Sequence, residues 1–510
     1  KKGGLYMNSF WITQANSQAY PTLSNSTNAS IVIIGGGLCG LATAYYLSQN
    51  TKDIIIVEAD RIAYGASGRS TGKISAQHGY IYHNLLTRYG KKLAKQYYEE
   101  NTAALAAIDE IIKKHAIACD FEYCDATLYA MNEEEVKTLE KEYQAYLSLD
   151  IPCTYQTADS LKSPMQAQLT MHHQARFDPY RYAIGLASYL AKKGIRIFEH
   201  STLRDIKKAD DCYHLYVNEH IITAHDVVFA TQFPFLDDKR FYFARMYSEQ
   251  EQIIAFAKAN IKQQMLLHIG NHPIQSIHAY HDHTLVAGNS HKSGQMKKDS
   301  YNELQKLAQA WVQGRFLTQW SSQDYITFDK LPMIGYLSSE KEHLYFASGF
   351  RKWGNTTSHI AGKRISAMIF HQPYQENIFA PARLSSFFSL SFVKENGNVL
   401  YEFFKRKRKA EDVDFPSVNE GKIMNFDDHL YGVYCDEHNM LFIVDITCPH
   451  AGCICNFNTV DKTWDCPCHG SRFSYQGNII KGPAQYHLNA FGDGFNTLDP
   501  HFLLKDDDTK

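Results

Sequence analysis

Residues 31–58, IVIIGGGLCGLATAYYLSQNTKDIIIVE, leave a chain few ways to fold. Residues 31–34 are wholly apolar and β-branched, the texture of a strand buried on both faces. Gly35, Gly37 and Gly40 then spell G-x-G-x-x-G, with Leu38 and Cys39 in the gap, and Ala42, Ala44 and Leu47 continue at helical spacing. DIIIVE supplies a second strand ending on Glu58. Strand, glycine turn, helix and strand at this length make a βαβ unit. In it Gly35 makes the tight turn, Gly37 lets the backbone approach a pyrophosphate, and Gly40 lets helix and strand pack closely. The helix N-terminus faces the phosphate charge. Glu58, eighteen residues beyond Gly40, is placed to accept ribose hydroxyls. The unit therefore predicts a bound dinucleotide.

The next stretch, YGASGRSTGKISAQHG (64–79), is rich in glycine and serine and includes Ser67. It offers backbone N–H groups and little bulk, as a surface laid against a flavin needs. The chain has one G-x-G-x-x-G, so no second nucleotide fold for NAD(P)H is evident. Downstream, KKLAKQYYEENTAALAAIDEIIKKHAI is a long helical pattern, and AHDVVFATQF (224–233) is a buried strand that would rejoin the first sheet. Residues 241–330 carry alternating, aromatic strand-like pieces and predict a second sheet. HLYFASGFRKWGNTTSHIAGKRISAMI returns to strand, glycine turn and helix.

A second feature stands apart. CPHAGCICNFNTVDKTWDCPCHGS (448–471) packs five of the chain's 11 cysteines and two histidines into one window. Cys448-x-His450 and Cys466-x-x-His469 form a set of two thiolates and two imidazoles split between two loops. Zinc accepts such atoms, although C-x-H is a poor zinc-finger spacing and Cys453 and Cys468 are left over. A Rieske 2Fe-2S centre, with two cysteines on one iron and two histidines on the other, is the other reading. Turn signals in the last hundred residues (GNII, KGPA, DGF) predict a small all-β domain.

At 510 residues, several cores are needed. The segments read as a 1–30 N-terminal extension, an oxidoreductase domain over 31–375, a linker over 376–412 and a C-terminal domain over 413–510. Within the second, a substrate subdomain is expected mainly in 115–180 and 235–330. The residues before Met7 are left out of the fold reasoning. A net charge of −2 leaves no basic excess to neutralise phosphates, so no nucleic-acid partner is expected. No apolar run reaches eighteen residues, so no transmembrane segment is expected. The N-terminus has no secretory pattern, and Cys39, Cys119, Cys124, Cys153, Cys212 and Cys435 are scattered, which suits a cytoplasmic protein.

Residues 31–370 resemble the D-amino-acid-oxidase-like flavoproteins, the group of glycine and sarcosine oxidases. The resemblance rests on IVIIGGGLCGLATAYYL, GASGRSTG, VVFATQ, FDKLPMIG (328–335) and ASGFRKWGNTTSHIAG (347–362). It implies FAD as cofactor and a Rossmann-like α/β FAD-binding domain with an inserted α+β substrate sheet domain. The last piece would return under the flavin, with Gly349, Trp353, Gly354, Asn355 and Thr356 as contacts. Ala230 and Thr231 would flank the dinucleotide, and Ser75 and Ala76 would lie near the ring.

The cysteine window resembles the Rieske proteins of cytochrome bc-type complexes, whose boxes C-x-H-x-G-C and C-P-C-H-G-S match CPHAGC and CPCHGS. That resemblance makes Cys448, His450, Cys466 and His469 the cluster ligands and pairs Cys453 with Cys468 in a disulfide. Cys455 takes no role and reads as a packed or free thiol. Ser471 would donate to a cluster sulfur, and Gly482-Pro483-Ala484 matches the loop that covers the cluster. Phe473 stands where the family often has a tyrosine. One hydroxyl donor is thus absent, which places the potential inside the Rieske span of roughly −150 to +300 mV but below its upper end.

The two sites together imply a flavin-dependent oxidoreductase. It would oxidise a small amine or amino-acid-like substrate by hydride transfer to FAD and drain electrons singly through the cluster to a protein or quinone acceptor. The alternative is an electron-transfer module whose flavin is reduced by a partner protein. Lys73, His78, Arg351 and Lys352 are the candidates for substrate-side chemistry, and His78 is also a candidate for covalent flavin attachment. The aromatic segment before KRKRK (405–409) predicts a helix between domains or an interfacial membrane contact.

Overall fold

The β-branched run of the glycine motif lies at the centre of a parallel sheet, as its lack of a polar face requires. In the computed structural model its strand begins at Thr27, four residues before the apolar run, and ends at Ile34. It is flanked in parallel by His220–Gln232 and Ile54–Val57. Outward on one side come Leu344–Ser348 and Met333–Tyr336, and on the other Arg196–Phe198. The segment AHDVVFATQF does rejoin the first sheet. The structure describes residues 8–158, 165–234, 236, 242–258, 265–296, 300–338, 342–373, 378–383, 399, 415–426, 429–491 and 495–496. Most of the 376–412 linker, with KRKRK, lies outside the described residues.

Helix Leu38–Leu47 packs on helix Gly354–Ile369, so closely that a Cβ at Gly362 would meet the backbone of Ala42 and Thr43. The N-terminal residues are part of this core. Ser9 caps the short helix Phe10–Gln14, whose Phe10, Trp11 and Ile12 are buried, and Trp11 Nε1 donates to the Ser70 carbonyl at 2.7 Å.

A second sheet runs in the order Arg315–Thr327, Met246–Ala257, His283–Lys292, Ile274–Tyr280, Met265–His268, Glu122–Ala130, Ala167–Arg176 and Lys73–Ile74, with Cys153–Thr157 on Ala167–Arg176. The long helical pattern forms Tyr82–His115, bent at Gly90, where φ is +79°. Its N-terminus has no side-chain cap of its own. The buried Glu142 carboxylate does that work, accepting from the backbone N–H groups of Ile81, Tyr82 and His83 at 3.1, 2.8 and 2.9 Å.

The C-terminal residues form two small antiparallel sheets. One has Gly421–Phe426, His429–Cys435, Met440–Asp445 and Phe495–Asn496; the other has Asn456–Asn458, Thr463–Asp465, Arg472–Ser474 and Ile479–Lys481. The protein is thus a mixed α/β chain with a small all-β domain at its C-terminus.

The all-β domain docks on the edge of the second sheet. Strand Arg315–Thr327 pairs with Met246–Ala257 in a register that sets Gln323 beside Gln250. Side chains two apart share a face. On one face Ser321 Oγ donates to Asp461 at 2.7 Å, Gln323 Nε2 to the Gly470 carbonyl at 2.8 Å, and the Tyr325 hydroxyl to the His469 carbonyl at 2.8 Å. Gln250 Nε2 adds a bond to Asp465 at 2.9 Å. Those acids hold Arg472, whose guanidinium is fully buried and lies 2.7 Å from Asp461 and 3.0 Å from Asp465. Gly470, with φ +82°, leaves no room for a Cβ against Ser248.

Candidate flavin and iron–sulfur sites

The glycine loop opens a cavity of about 1120 Å³. Gly35 has φ +109°, a backbone that side chains rarely adopt, and its α-carbon lies against the Ala230 carbonyl. Leu38 N–H donates to Ser67 Oγ at 2.8 Å. The Glu58 carboxylate accepts from Gly36 N–H at 2.7 Å and from Asp60 N–H at 2.9 Å, which holds it at the strand end while burial pushes its pKa up.

Of the residues expected at the cofactor, Gly35, Gly37, Leu38, Cys39, Glu58, Ser67, Ala230, Thr231, Gly349, Trp353, Gly354 and Asn355 line the cavity. Gly40, Ser75, Ala76 and Thr356 do not. Gly40 packs against the Gly35 carbonyl; Ser75 Oγ and Ala76 N–H both donate to Gln174 Oε1; Thr356 Oγ1 donates to Asn101 at 2.8 Å.

Lys73, His78, Arg351 and Lys352 all line the cavity, in different states. Lys73 Nζ donates to Thr71 Oγ1 and Ser276 Oγ, both at 2.8 Å, and burial pulls its pKa down to about 8. His78 stacks on Trp353 with ring centroids 4.3 Å apart. Its Nδ1 is 2.6 Å from the Tyr97 hydroxyl and its Nε2 2.7 Å from the Ser75 carbonyl. Burial, then the Arg351 charge, lowers its pKa to about 3, so the ring is neutral with both nitrogens engaged. Lys352 Nζ bridges Glu249 at 2.7 Å and Glu251 at 3.3 Å. Arg351 donates from Nη2 to the His78 carbonyl at 2.9 Å, while its buried Nη1 has no partner among the described residues. A buried guanidinium N–H without an acceptor is costly, and a bound oxygen would satisfy it.

The cavity also shows residues that the sequence did not single out: Arg69, Glu249, Glu251, Gln275, Ser276, Asp324 and Tyr325. Their signal was weak because the two glutamates and Asp324 read as ordinary polar positions of amphipathic strands.

In the C-terminal domain the two boxes form opposed turns. Gly452 N–H donates to the Cys448 carbonyl at 2.8 Å and Gly470 N–H to the Cys466 carbonyl at 3.1 Å. Cys453 and Cys468 form a disulfide with an S–S distance of 2.00 Å. The rings of His450 and His469 lie 4.9 Å apart, and the Nδ1 of each is buried without a hydrogen-bond partner. Burial, then His450, lowers the pKa of His469 to about 4, keeping that ring neutral as a ligand must be. The Sγ atoms of Cys448 and Cys466 come within 4.8 Å of each other. Two buried thiols and two orphaned imidazole nitrogens fit a 2Fe-2S centre, which would satisfy both nitrogens at once. Cys455, fully buried, joins the two thiols as a third sulfur in the same 4.8 Å group. Ser471 Oγ accepts from Ala484 N–H at 2.9 Å and its proton is within reach of Cys448, tying the Gly482–Ala484 loop to that thiol.

The family of FAD dependent oxidoreductases matches residues 30–368, about two thirds of the chain. The chain belongs to that family. A Rieske [2Fe-2S] domain matches residues 409–492 of the same flavoprotein. FAD and a Rieske 2Fe-2S cluster are therefore its cofactors. The oxidoreductase is 34% identical to a Rieske 2Fe-2S iron-sulfur protein of Bacillus subtilis (strain 168), YhfW, over 93% of this chain and 96% of that one. It is 22% identical to the gamma-glutamylputrescine oxidoreductase of Escherichia coli (strain K12), over 71% of this chain and 89% of that protein. Glycine oxidase from Geobacillus kaustophilus shares the fold, with a TM-score of 0.59 at 18% identity over 70% of this chain and 99% of that one. Among the described residues of the flavoprotein no helix is long and apolar enough to cross a membrane.

Proposed function

We propose that this flavoprotein oxidises a small amine or amino-acid-like substrate at FAD and passes the electrons singly to its Rieske cluster, which delivers them to a protein or quinone acceptor. The observation that carries the reading is the two-sided strand Arg315–Thr327. Asp324 lines the flavin cavity, and its neighbour Tyr325 reaches across to the backbone of a cluster ligand. Bound FAD supplies hydride acceptance and the cluster one-electron transfer.

The chain's own residues support this substrate class. Lys73 and the unpartnered Nη1 of Arg351 are cationic groups suited to a carboxylate, while Glu249 and Glu251 present negative charge suited to an ammonium. Lys352 spans the two glutamates and prevents them from repelling each other in the free protein. The amine carbon gives up a hydride equivalent and the nitrogen a proton, and the resulting imine hydrolyses in water. Substrate entering the cavity displaces water, which strengthens each of these charge contacts. The gamma-glutamylputrescine oxidoreductase and glycine oxidase likenesses favour an amine as well.

Anaerobic addition of an amine and amino-acid panel to the holoprotein tests this. The expected result is flavin bleaching followed by the electron paramagnetic resonance signal of a reduced Rieske cluster. No bleaching by any amine, with bleaching by a reduced ferredoxin, establishes the electron-transfer module instead.

A further inference from the structure

The wall of the flavin cavity is not built from the oxidoreductase domain alone. The stretch from Asn478 to Gln485 in the Rieske domain lines it together with Gly35, Gly37 and Ser67 of the dinucleotide loop. Arg204 Nη1 fastens this wall by donating to the Gln485 carbonyl at 3.1 Å.

Lys481 ends the strand Ile479–Lys481 inside this wall. Its Nζ donates to the Gln323 carbonyl at 3.0 Å, which uses one of three N–H donors. The nearby Asp324 carboxylate is already committed to the backbone N–H groups of Tyr325 and Lys352, at 2.8 and 2.5 Å. Arg69, on the oxidoreductase side of the same cavity, is close enough for its charge to oppose that of Lys481. Burial is the main cause that lowers the Lys481 pKa, to about 7; Asp324 works against it, and Arg472 and Arg69 add to it. Lys481 and Arg69 thus bring two cationic groups to the wall of the cavity that the glycine loop also lines, with Asp324 as the carboxylate whose charge favours the Lys481 ammonium.

We propose that the Rieske domain supplies a residue to the FAD site: the Lys481 ammonium, with Arg69, holds the diphosphate of the cofactor. The iron–sulfur domain is thereby a structural part of the flavin site as well as its electron outlet. This assignment depends on FAD as resident cofactor and is independent of the amine substrate.

Equilibrium titration of flavin-stripped full-length protein with FAD, and with ADP as the diphosphate probe, tests the assignment. Lys481→Gln should raise Kd for both by about tenfold to a hundredfold, the range for loss of one charge-assisted hydrogen bond. Lys481→Arg should recover most of the affinity, and the cluster's electron paramagnetic resonance spectrum should stay unchanged in both variants. Unaltered FAD and ADP affinity in Lys481→Gln with an intact cluster spectrum overturns the proposal, as does a loss for FAD with none for ADP. Should the variants misfold, wild-type protein answers the question through acetylation of Lys481 read by mass spectrometry. FAD or ADP should protect this lysine, and equal labelling with and without both rejects the assignment.

Discussion

The Tyr325 hydroxyl donates to the His469 carbonyl at 2.8 Å, and the Tyr325 carbonyl accepts from the Arg351 N–H at 3.2 Å. One residue thus hydrogen-bonds both to the second box of the Rieske domain and to the loop that lines the flavin cavity. Its neighbour Phe233, 5.3 Å away centroid to centroid, also approaches His450 at 6.1 Å. Tyr325→Phe removes the hydroxyl and leaves a buried carbonyl without its donor, at a cost of about 1–3 kcal/mol. Stopped-flow measurement should show slower cluster reduction with flavin bleaching unaffected; an unchanged cluster rate removes Tyr325 from the electron path.

Arg472 is fully buried between Asp461 and Asp465, the acids that Ser321 and Gln250 reach across the domain seam. Arg472→Ala leaves two buried carboxylates without their counter-charge and should cost about 3–5 kcal/mol. Calorimetry should show the Rieske domain melting earlier and apart from the oxidoreductase domain. A single unshifted transition contradicts this.

Cys453 and Cys468 close a loop with a sequence separation of 15. Replacing both by serine should destabilise the Rieske domain by about 3 kcal/mol, through the larger freedom of the unfolded chain. Denaturant titration followed by the visible absorption of the cluster measures it, and an unchanged midpoint contradicts it.

Lys73 tests the substrate side. Burial lowers its pKa to about 8; the Glu251 charge works against that shift and the Lys352 charge adds to it, while Thr71 and Ser276 accept its hydrogen bonds. A lysine is charged below its pKa, so attraction for a carboxylate is present below pH 8 and fades as pH rises through that value. KM for an anionic amine substrate should therefore climb above pH 8 with kcat little changed. Lys73→Met should show a high KM at every pH. A wild-type KM that is flat from pH 7 to 9 separates Lys73 from substrate binding.

Much of this was legible because the motifs are local. Gly35, Gly37 and Gly40 reveal a nucleotide loop through the backbone they permit, and Cys448, His450, Cys466 and His469 reveal a cluster through residue type and spacing. What could not be read is what one domain does to the other. Lys481 carries no motif, and its place in the wall of the flavin cavity comes from tertiary docking. Ser321, Gln323 and Tyr325 lie in the alternating stretch 241–330, and their near-complete burial, at 2%, 1% and 1% exposure, comes from the Rieske domain covering them. A clue was available in TQWSSQDYIT, where neither face is apolar enough to be core or charged enough to be surface. In the 1–30 extension, Phe10, Trp11 and Ile12 fill a core whose other half lies in distant segments, which no local pattern announces.

The odd–even alternation of Arg315–Thr327 has a consequence for evolution. Adding or deleting one residue there would swap its sides, turning Ser321, Gln323 and Tyr325 away from the Rieske domain to which they now donate hydrogen bonds. Recombination that exchanges either module for a relative must therefore preserve the parity of this strand, which makes the two halves of the gene inherit their history together.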